Sequence, residues 1–244
     1  AASDATSDTA SAEVTTVEPG KLIMSTNAAF PPYEMTADDG SFEGIDVEIA
    51  GAIAEKLGLE LQIDDMDFDA ALLAAQTGKS DMVMAGVTVT EDRQTVMDFS
   101  DSYAAGIQVV IVPEDSDIAS IDDMTGKMIG VQRGTTGDQY CSASVEDGGF
   151  GEENVTRYDN GLTAVQALNN GQVDCVVIDN APAQEFVAAN PGLKILDTEY
   201  ANEEYAIGVA KGNTQLLDAI NTAIAELKAD GTIQSILDKY ISAE

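Results

Sequence analysis

The stretch from Asp81 to Asp101, DMVMAGVTVTEDRQTVMDFSD, constrains the fold more than any other part of the chain. Met82 to Val87 is a short apolar run bounded by Asp81 and by turn signals from Gly86 to Thr90, the pattern of a strand buried on both faces. Thr90 is placed to cap a short helix opening with Glu91 and Asp92, both favoured near the positive end of the helix dipole. Arg93 runs against that rule by putting a cation into the same turn. A guanidinium there calls for an anion, and its planar fork suits a carboxylate best. Gly86 lets a backbone approach closely and Thr88 adds a hydroxyl. Two partners fit the spacing: the carboxylate of a bound molecule at the carboxyl end of the strand, or Glu91 or Asp98 in an ion pair.

The rest of the chain repeats the strand–helix alternation. KLIMST (21–26) reads as a first strand, and NAAFPPYEM as a loop stiffened by Pro31 and Pro32 that presents Phe30 and Tyr33. Residues 46–57 have an apolar face of Ile49, Ala50, Ile53, Ala54 and Leu57 ending at Gly58, an amphipathic helix. A strand over 59–63 and a helix stopping at Gly78 follow. Further strands are predicted over 128–132, 173–178 and 205–210, with helices over 161–170, 214–229 and 232–240. Ala71–Met84 and Val165–Val177 share a plan of apolar helix, glycine, aspartate and buried strand; aligning Gly78 with Gly171 pairs Asp81 with Asp174 and Gly86 with Asp179. This is a weak internal repeat, since any two β-α-β units match that well. GTTGDQY is a Gly-rich turn entering a helix, able to offer backbone N–H groups to an anion, but it lacks the lysine and spacing of a P-loop. Asp179 opens a helix with Pro182 close behind, where capping is the commoner role. The alternation predicts an α/β protein with mostly parallel sheets.

Composition removes whole classes of function. The 244 residues suffice for two modest domains or one large one. Eleven basic against 44 acidic residues give a net charge of −33, a surface that repels nucleic-acid backbones and anionic lipid. The chain has no histidine, which excludes serine–histidine triads, histidine bases and ordinary zinc sites. Only three arginines occur, at 93, 133 and 157, so each is informative. No run is long enough to span a bilayer. Cys141 and Cys175 fit either one disulfide, closing a loop of about 35 residues, or two buried thiols. The first 16 residues are rich in Ala, Ser, Thr and Asp without apolar period and read as a disordered tether.

NAAFPPYE, FEGIDVEIAGAIAEKLG, AGVTVTEDRQTVMDFSD, VQRGTTGD, NNGQVDCVVID and LKADGTIQSILDKY, in that order, make the chain from about Lys21 to Tyr240 resemble the extracellular solute-binding proteins, family 3. These are the amino-acid-binding components of ABC transporters. The resemblance implies a type II periplasmic-binding-protein fold, with two α/β lobes joined by two crossovers near 103–109 and 200–205 and the ligand in the cleft between them. Residues 1–19 would be a tether after a removed signal or lipid anchor. One lobe would combine 20–105 with 203–244, and the other would be 106–202. By position, Arg93 resembles the residue that takes the ligand α-carboxylate, with Thr88 and Thr136 assisting. Asp179 resembles the acceptor of the α-ammonium, Phe30 the aromatic wall, and Phe68 a second ring. The chain departs from its relatives at Ala85 and Gly86, where histidine-type members have two serines. It departs again at Gln132, where glutamine-type members have a lysine, and at Asn27, where several keep an acid. Arg133 is free to face the cleft or solvent.

These residues lead to an expected ligand. Phe30 and Phe68 would sandwich an extended side chain, with Gln132, Thr135 and Asn27 as neutral polar contacts near its end. A second carboxylate finds no partner except Arg133, so the expected ligand is a free polar L-amino acid, neutral or basic. The expected partner is an ABC permease, and the expected state a monomer without cofactor, outside the cytoplasm as a lipoprotein or periplasmic protein. The alternatives are a same-fold enzyme of the dehydratase kind and the sensing domain of a receptor. Paired carboxylates singled out by spacing are missing, which disfavours catalysis. The export context turns the cysteine reading towards a Cys141–Cys175 disulfide.

Overall fold

The computed structural model describes residues 14–241. The chain first lays down β1 (Lys21–Thr26), then a small antiparallel sheet of β2 (Ala29–Phe30), β3 (Glu34–Thr36) and β4 (Phe42–Glu43). Helix α1 (Ile45–Leu57), β5 (Glu60–Asp65), α2 (Phe68–Gln76), β6 (Met82–Val83), the single turn α3 (Glu91–Gln94) and β7 (Met97–Phe99) follow. It then crosses into a second region built from β8 (Ala104–Pro113), β9 (Ile129–Gln132), α4 (Thr136–Ser142), β10 (Val155–Tyr158), α5 (Gly161–Asn169), β11 (Cys175–Asp179), α6 (Asn180–Ala189), β12 (Leu193–Ile195) and β13 (Ala201–Tyr205). Finally it returns to the first region with β14 (Gly208–Ala210), α7 (Thr214–Ala229) and α8 (Thr232–Tyr240).

The two large sheets have orders β5-β1-β6-β14-β7 and β10-β9-β11-β8-β12, with β13 added to β8. Strands linked through helices are parallel: β5, β1 and β6 in one sheet, β10, β9 and β11 in the other. Strands that enter from the opposite half, β8 and β14, run antiparallel to their neighbours, because no crossover helix returns the chain to the same sheet end. The sheets are therefore mixed rather than mostly parallel. The two crossing segments pair with each other. β8 and β13 form an antiparallel ribbon from Ala104↔Tyr205 to Gln108↔Ala201, and Tyr103 N donates to Tyr205 O at 3.0 Å.

The internal repeat has a physical basis. Asp81, just before β6, accepts from Ile23 N at 2.7 Å and from Val17 N at 2.8 Å. Asp174, just before β11, accepts from Met128 N at 2.8 Å. Each aspartate thus satisfies the backbone where the neighbouring strand begins, a group that would otherwise lack a partner. The same bond fixes residues 14–19, which were expected within the tether: Val17 is tied to Asp81, and Val14 packs against the main core. The rest of the tether reading falls on residues 1–13, outside the described residues.

One apolar cluster runs from Leu22, Ile49 and Ile53 through Tyr103 and Tyr205 to Ile111, Val165 and Phe186. A second, from Val110 to Leu196, includes both cysteines. Cys141 and Cys175 are free thiols there, not the expected disulfide. Each packs as a small apolar group. Burial pushes the Cys141 thiol up to about 12 and the Cys175 thiol higher still, away from the reactive thiolate.

Candidate functional site

The apolar run at Met82 is a strand for only two residues. The chain then leaves the sheet through Gly86, whose φ of +56° is accessible to glycine with little cost. A Cβ at Gly86 would lie 3.2 Å from the Phe30 ring. Gly86 N donates to Asp46 Oδ2 at 2.8 Å, so the backbone, not a side chain, faces the space beyond. Thr90 caps α3 by accepting from Arg93 N at 3.2 Å, as the spacing predicted.

Arg93 points inward and is buried, 6% exposed. Its Nη1 donates to Thr88 O at 2.7 Å, its Nη2 donates to Gly134 O at 3.0 Å, and the guanidinium lies 5.5 Å from the Phe68 ring centre. It joins none of the ion pairs among the described residues, and Asp98 pairs with Lys211 instead. Burial pulls the guanidinium down to about 10, opposed by the charge of Glu203. Gly134 reaches Arg93 from the turn before α4. That turn is held by Asp138, which accepts from Gly134 N and Arg157 Nε, each at 2.9 Å. Thr135 caps α4.

Asp179 ends β11 almost fully buried. One oxygen accepts from Ala181 N at 3.1 Å, capping α6, and the other accepts from the Tyr205 hydroxyl. Burial raises its pKa to about 7, against the lowering effect of those two donors. Gly106 on β8 is required here, because a side chain would strike both the Asp179 carboxylate and the Tyr205 hydroxyl. The capping role and a site role therefore coexist in Asp179.

These groups surround one cavity. Asn27, Phe30, Phe68, Ala85, Gly86, Thr88, Arg93, Gln132, Thr135, Thr136 and Asp179 all line it. Gln132 Nε2 donates to Asn27 Oδ1 at 3.1 Å across the cavity. Arg133 does not line it; that side chain is half exposed beside Asp159, 3.8 Å away. Glu43 is exposed on β4. A larger, more open depression lies between residues 14–20, α1 and α7, but among its lining residues the charges are only Lys56 and Glu226, already ion-paired at 3.0 Å.

Sequence reasoning missed Glu34, Gln108, Val177, Ile178, Glu203 and Tyr205, which also line the cavity. Glu203 accepts from Thr88 Oγ1 at 2.9 Å, Gln108 Nε2 at 3.0 Å and the Tyr140 hydroxyl at 3.0 Å. Period-two alternation on the crossing strand could have found it: Glu203 and Tyr205 face inward while Glu204 faces out. The only charged residues lining the cavity are Arg93, Glu34, Asp179 and Glu203. No cluster of the described residues could hold a metal ion.

Two mixed α/β units with a polar cavity opening beside the strands that join them define a two-lobed binding protein. Residues 22–243 match the model of the bacterial extracellular solute-binding proteins, family 3, and the chain belongs to that family. Among curated proteins it is 31% identical to the L-cystine-binding protein TcyJ of Escherichia coli, over 93% of this chain and 85% of that one. It is 30% identical to the arginine-binding extracellular protein ArtP of Bacillus subtilis, over 92% and 87%. Among solved structures, an ancestral arginine-binding protein bound to glutamine superposes with a TM-score of 0.85 at 41% identity, covering 93% of this chain and all of the other. The arginine-, lysine- and histidine-binding protein ArtJ of Geobacillus stearothermophilus gives 0.85 at 30% identity, covering 92% and 96%.

Proposed function

We propose that the chain captures a free polar L-amino acid, neutral or basic, outside the cytoplasm and delivers it as a monomer to the permease of an ABC transporter. One observation carries this reading: one cavity brings together the buried Arg93 guanidinium, which forms no salt bridge and has only the field of Glu203 beside it, and the buried Asp179 carboxyl, which has no cationic partner. That is the complement of a zwitterion, and isolated buried charges of either sign are costly until paired. Arg93, with Thr88 and the turn at Thr135 and Thr136, takes the α-carboxylate. Asp179 takes the α-ammonium, and Phe30 and Phe68 flank the side chain. The binding of arginine by ArtP, of cystine by TcyJ and of glutamine by the ancestral protein agrees with a ligand of this class. Lobes of 20–105 with 203–244 and of 106–202 would close on the ligand by a hinge in the β8–β13 ribbon. The expected place of action is the cell surface or the periplasm. Calorimetric titration with each of the twenty amino acids tests the reading: a saturable one-to-one signal from a polar, non-acidic member is expected. Silence from all twenty, or tightest binding of glutamate or aspartate, overturns it.

A further inference from the structure

Of the three arginines, Arg93 lines the cavity and Arg133 stands half exposed outside it; Arg157 is the one still without a role. It lies on β10, paired with Val131 of β9, where β9 leads into the turn before α4. Its Nε donates to both oxygens of Asp138, each at 2.9 Å, and its Nη1 donates to the exposed Glu152 at 3.0 Å. Asp138 is buried, and Arg157 is its only cationic partner among the described residues. The same carboxylate accepts from Gly134 N at 2.9 Å, and the Gly134 carbonyl accepts from Arg93 Nη2 at 3.0 Å. These groups form one chain, from Arg157 through Asp138 and Gly134 to Arg93, that starts outside the cavity and ends at its guanidinium. The turn is also pressed against the first half of the molecule: Gly134 has a φ of +77°, and a Cβ there would lie 3.2 Å from Asp69 Cβ on α2.

Resting on the amino-acid reading above, we propose that Arg157 is a positioning residue for the carboxylate clamp: by neutralising Asp138 it holds the Gly134 turn in the setting that aims Arg93 at the ligand α-carboxylate. The physical reason is the cost of a buried carboxylate, which stays charged in such a place only when it is paired. A charged Asp138 grips Gly134 N with a charge-assisted bond, roughly twice as strong as a neutral one. Gly134, held at its N–H, keeps its carbonyl on Arg93 Nη2 while Thr88 O holds Nη1 at 2.7 Å. Two of the five guanidinium N–H groups are thus spent on fixing the plane of the fork, and the rest are left for the ligand. Without Arg157, the Asp138 charge stands unpaired behind the clamp; the turn then shifts, or the charge opposes the incoming carboxylate. Both weaken the same contact. The ligand ammonium at Asp179 and the side chain between Phe30 and Phe68 draw nothing from this chain of bonds, so the effect is confined to the carboxylate.

The experiment is calorimetric titration of the full protein with L-arginine and L-glutamine, each against its α-amide, the weaker amides being read by competition. If neither amino acid binds the parent and another of the twenty does, that one and its α-amide serve instead. In Arg157→Gln the amino acid is expected to bind about tenfold weaker, the scale of coupling within one buried network, while the amide changes by less than about twofold. Asp138→Asn should give the same selective loss, and the double variant no more than the larger single loss. Glu152→Gln, which breaks only the exposed arm, should leave both affinities within about twofold of the parent. A merely structural role would move amino acid and amide together. Unchanged affinity in Arg157→Gln, an equal loss for amino acid and amide, or additive losses for Arg157 and Asp138 overturns the proposal. Where an amide competes too weakly to be read, the double variant decides alone. Should one single variant fail to fold, the other decides by the same comparison, with Arg157→Lys, which keeps the charge and loses the fork, in reserve. If no amino acid binds the parent at all, the failure lies with the amino-acid reading.

Discussion

At the scale of single residues, the site is built from charges held without their usual partners. Removing Arg93 leaves a ligand carboxylate desolvated and unpaired, and breaking such a pair from one side costs about 3–5 kcal/mol. Arg93→Ala should therefore lose at least a hundredfold in affinity for every amino acid bound, whatever its side chain, and binding within tenfold of the parent by calorimetry would refute the assignment. Asp179 makes a second, signed prediction. In the ligand-free protein its carboxyl keeps its proton up to about 7, whereas an unfolded chain releases it near pH 4. The folded state thus binds more protons between those values, and its stability falls as pH rises through them. Asp46, raised to about 6, acts in the same direction. Denaturant unfolding from pH 4 to 7 should show a shallower decline for Asp179→Asn than for the parent; identical slopes would mean that Asp179 is ionised when the site is empty. At Cys141 and Cys175, a thiol reagent should find nothing to label in the native protein and two groups after denaturation.

At the scale of elements, the paired aspartates ahead of β6 and β11 do the same work with different weight. Asp81 is buried and serves two backbone N–H groups, so Asp81→Ala should cost about 3 kcal/mol, whereas the exposed Asp174, serving one, should cost about 1 kcal/mol. Equal midpoint shifts in urea for the two variants would show that the repeat is only a likeness of sequence. The same elements show what was legible in the chain. Strand β1 and helices α7 and α8 fall where their periodicity put them, because long stretches with a single apolar face leave a clear pattern. Strands β2 to β4, of two or three residues each, are too short to show a period, and their residues read as a loop. β8 was hidden because half of it looked like a linker, although it has strand partners along both edges, β11 on one and β13 and β12 on the other. Every residue named in advance for the site lines the cavity, since the motifs around Arg93 and Asp179 place them together. Glu34 could not be singled out among 44 acids: only its burial against Asp46 sets it apart.

At the scale of the molecule, the question is what holds the two halves together. The covalent path crosses twice, and both crossings run in one antiparallel ribbon. Across the cavity, the polar contacts between the halves include Arg93 to Gly134 and Gln132 to Asn27, two neutral or single-charge bonds worth about 1–3 kcal/mol each at most. Against them stands the repulsion of a chain with 33 excess negative charges. A ligand held by Arg93 and Asp179, as proposed, would add contacts to both halves at once and should shift the population towards the compact form in proportion to that differential affinity. Small-angle scattering should show a smaller radius of gyration with saturating ligand than without. The comparison has to be made at fixed ionic strength, because salt of about 0.1 M already shortens the reach of the repulsion to about 10 Å and would compact the empty protein by itself. If the radius is the same with and without a ligand that calorimetry shows to be bound, the β8–β13 ribbon is not a hinge and the cavity fills by another route.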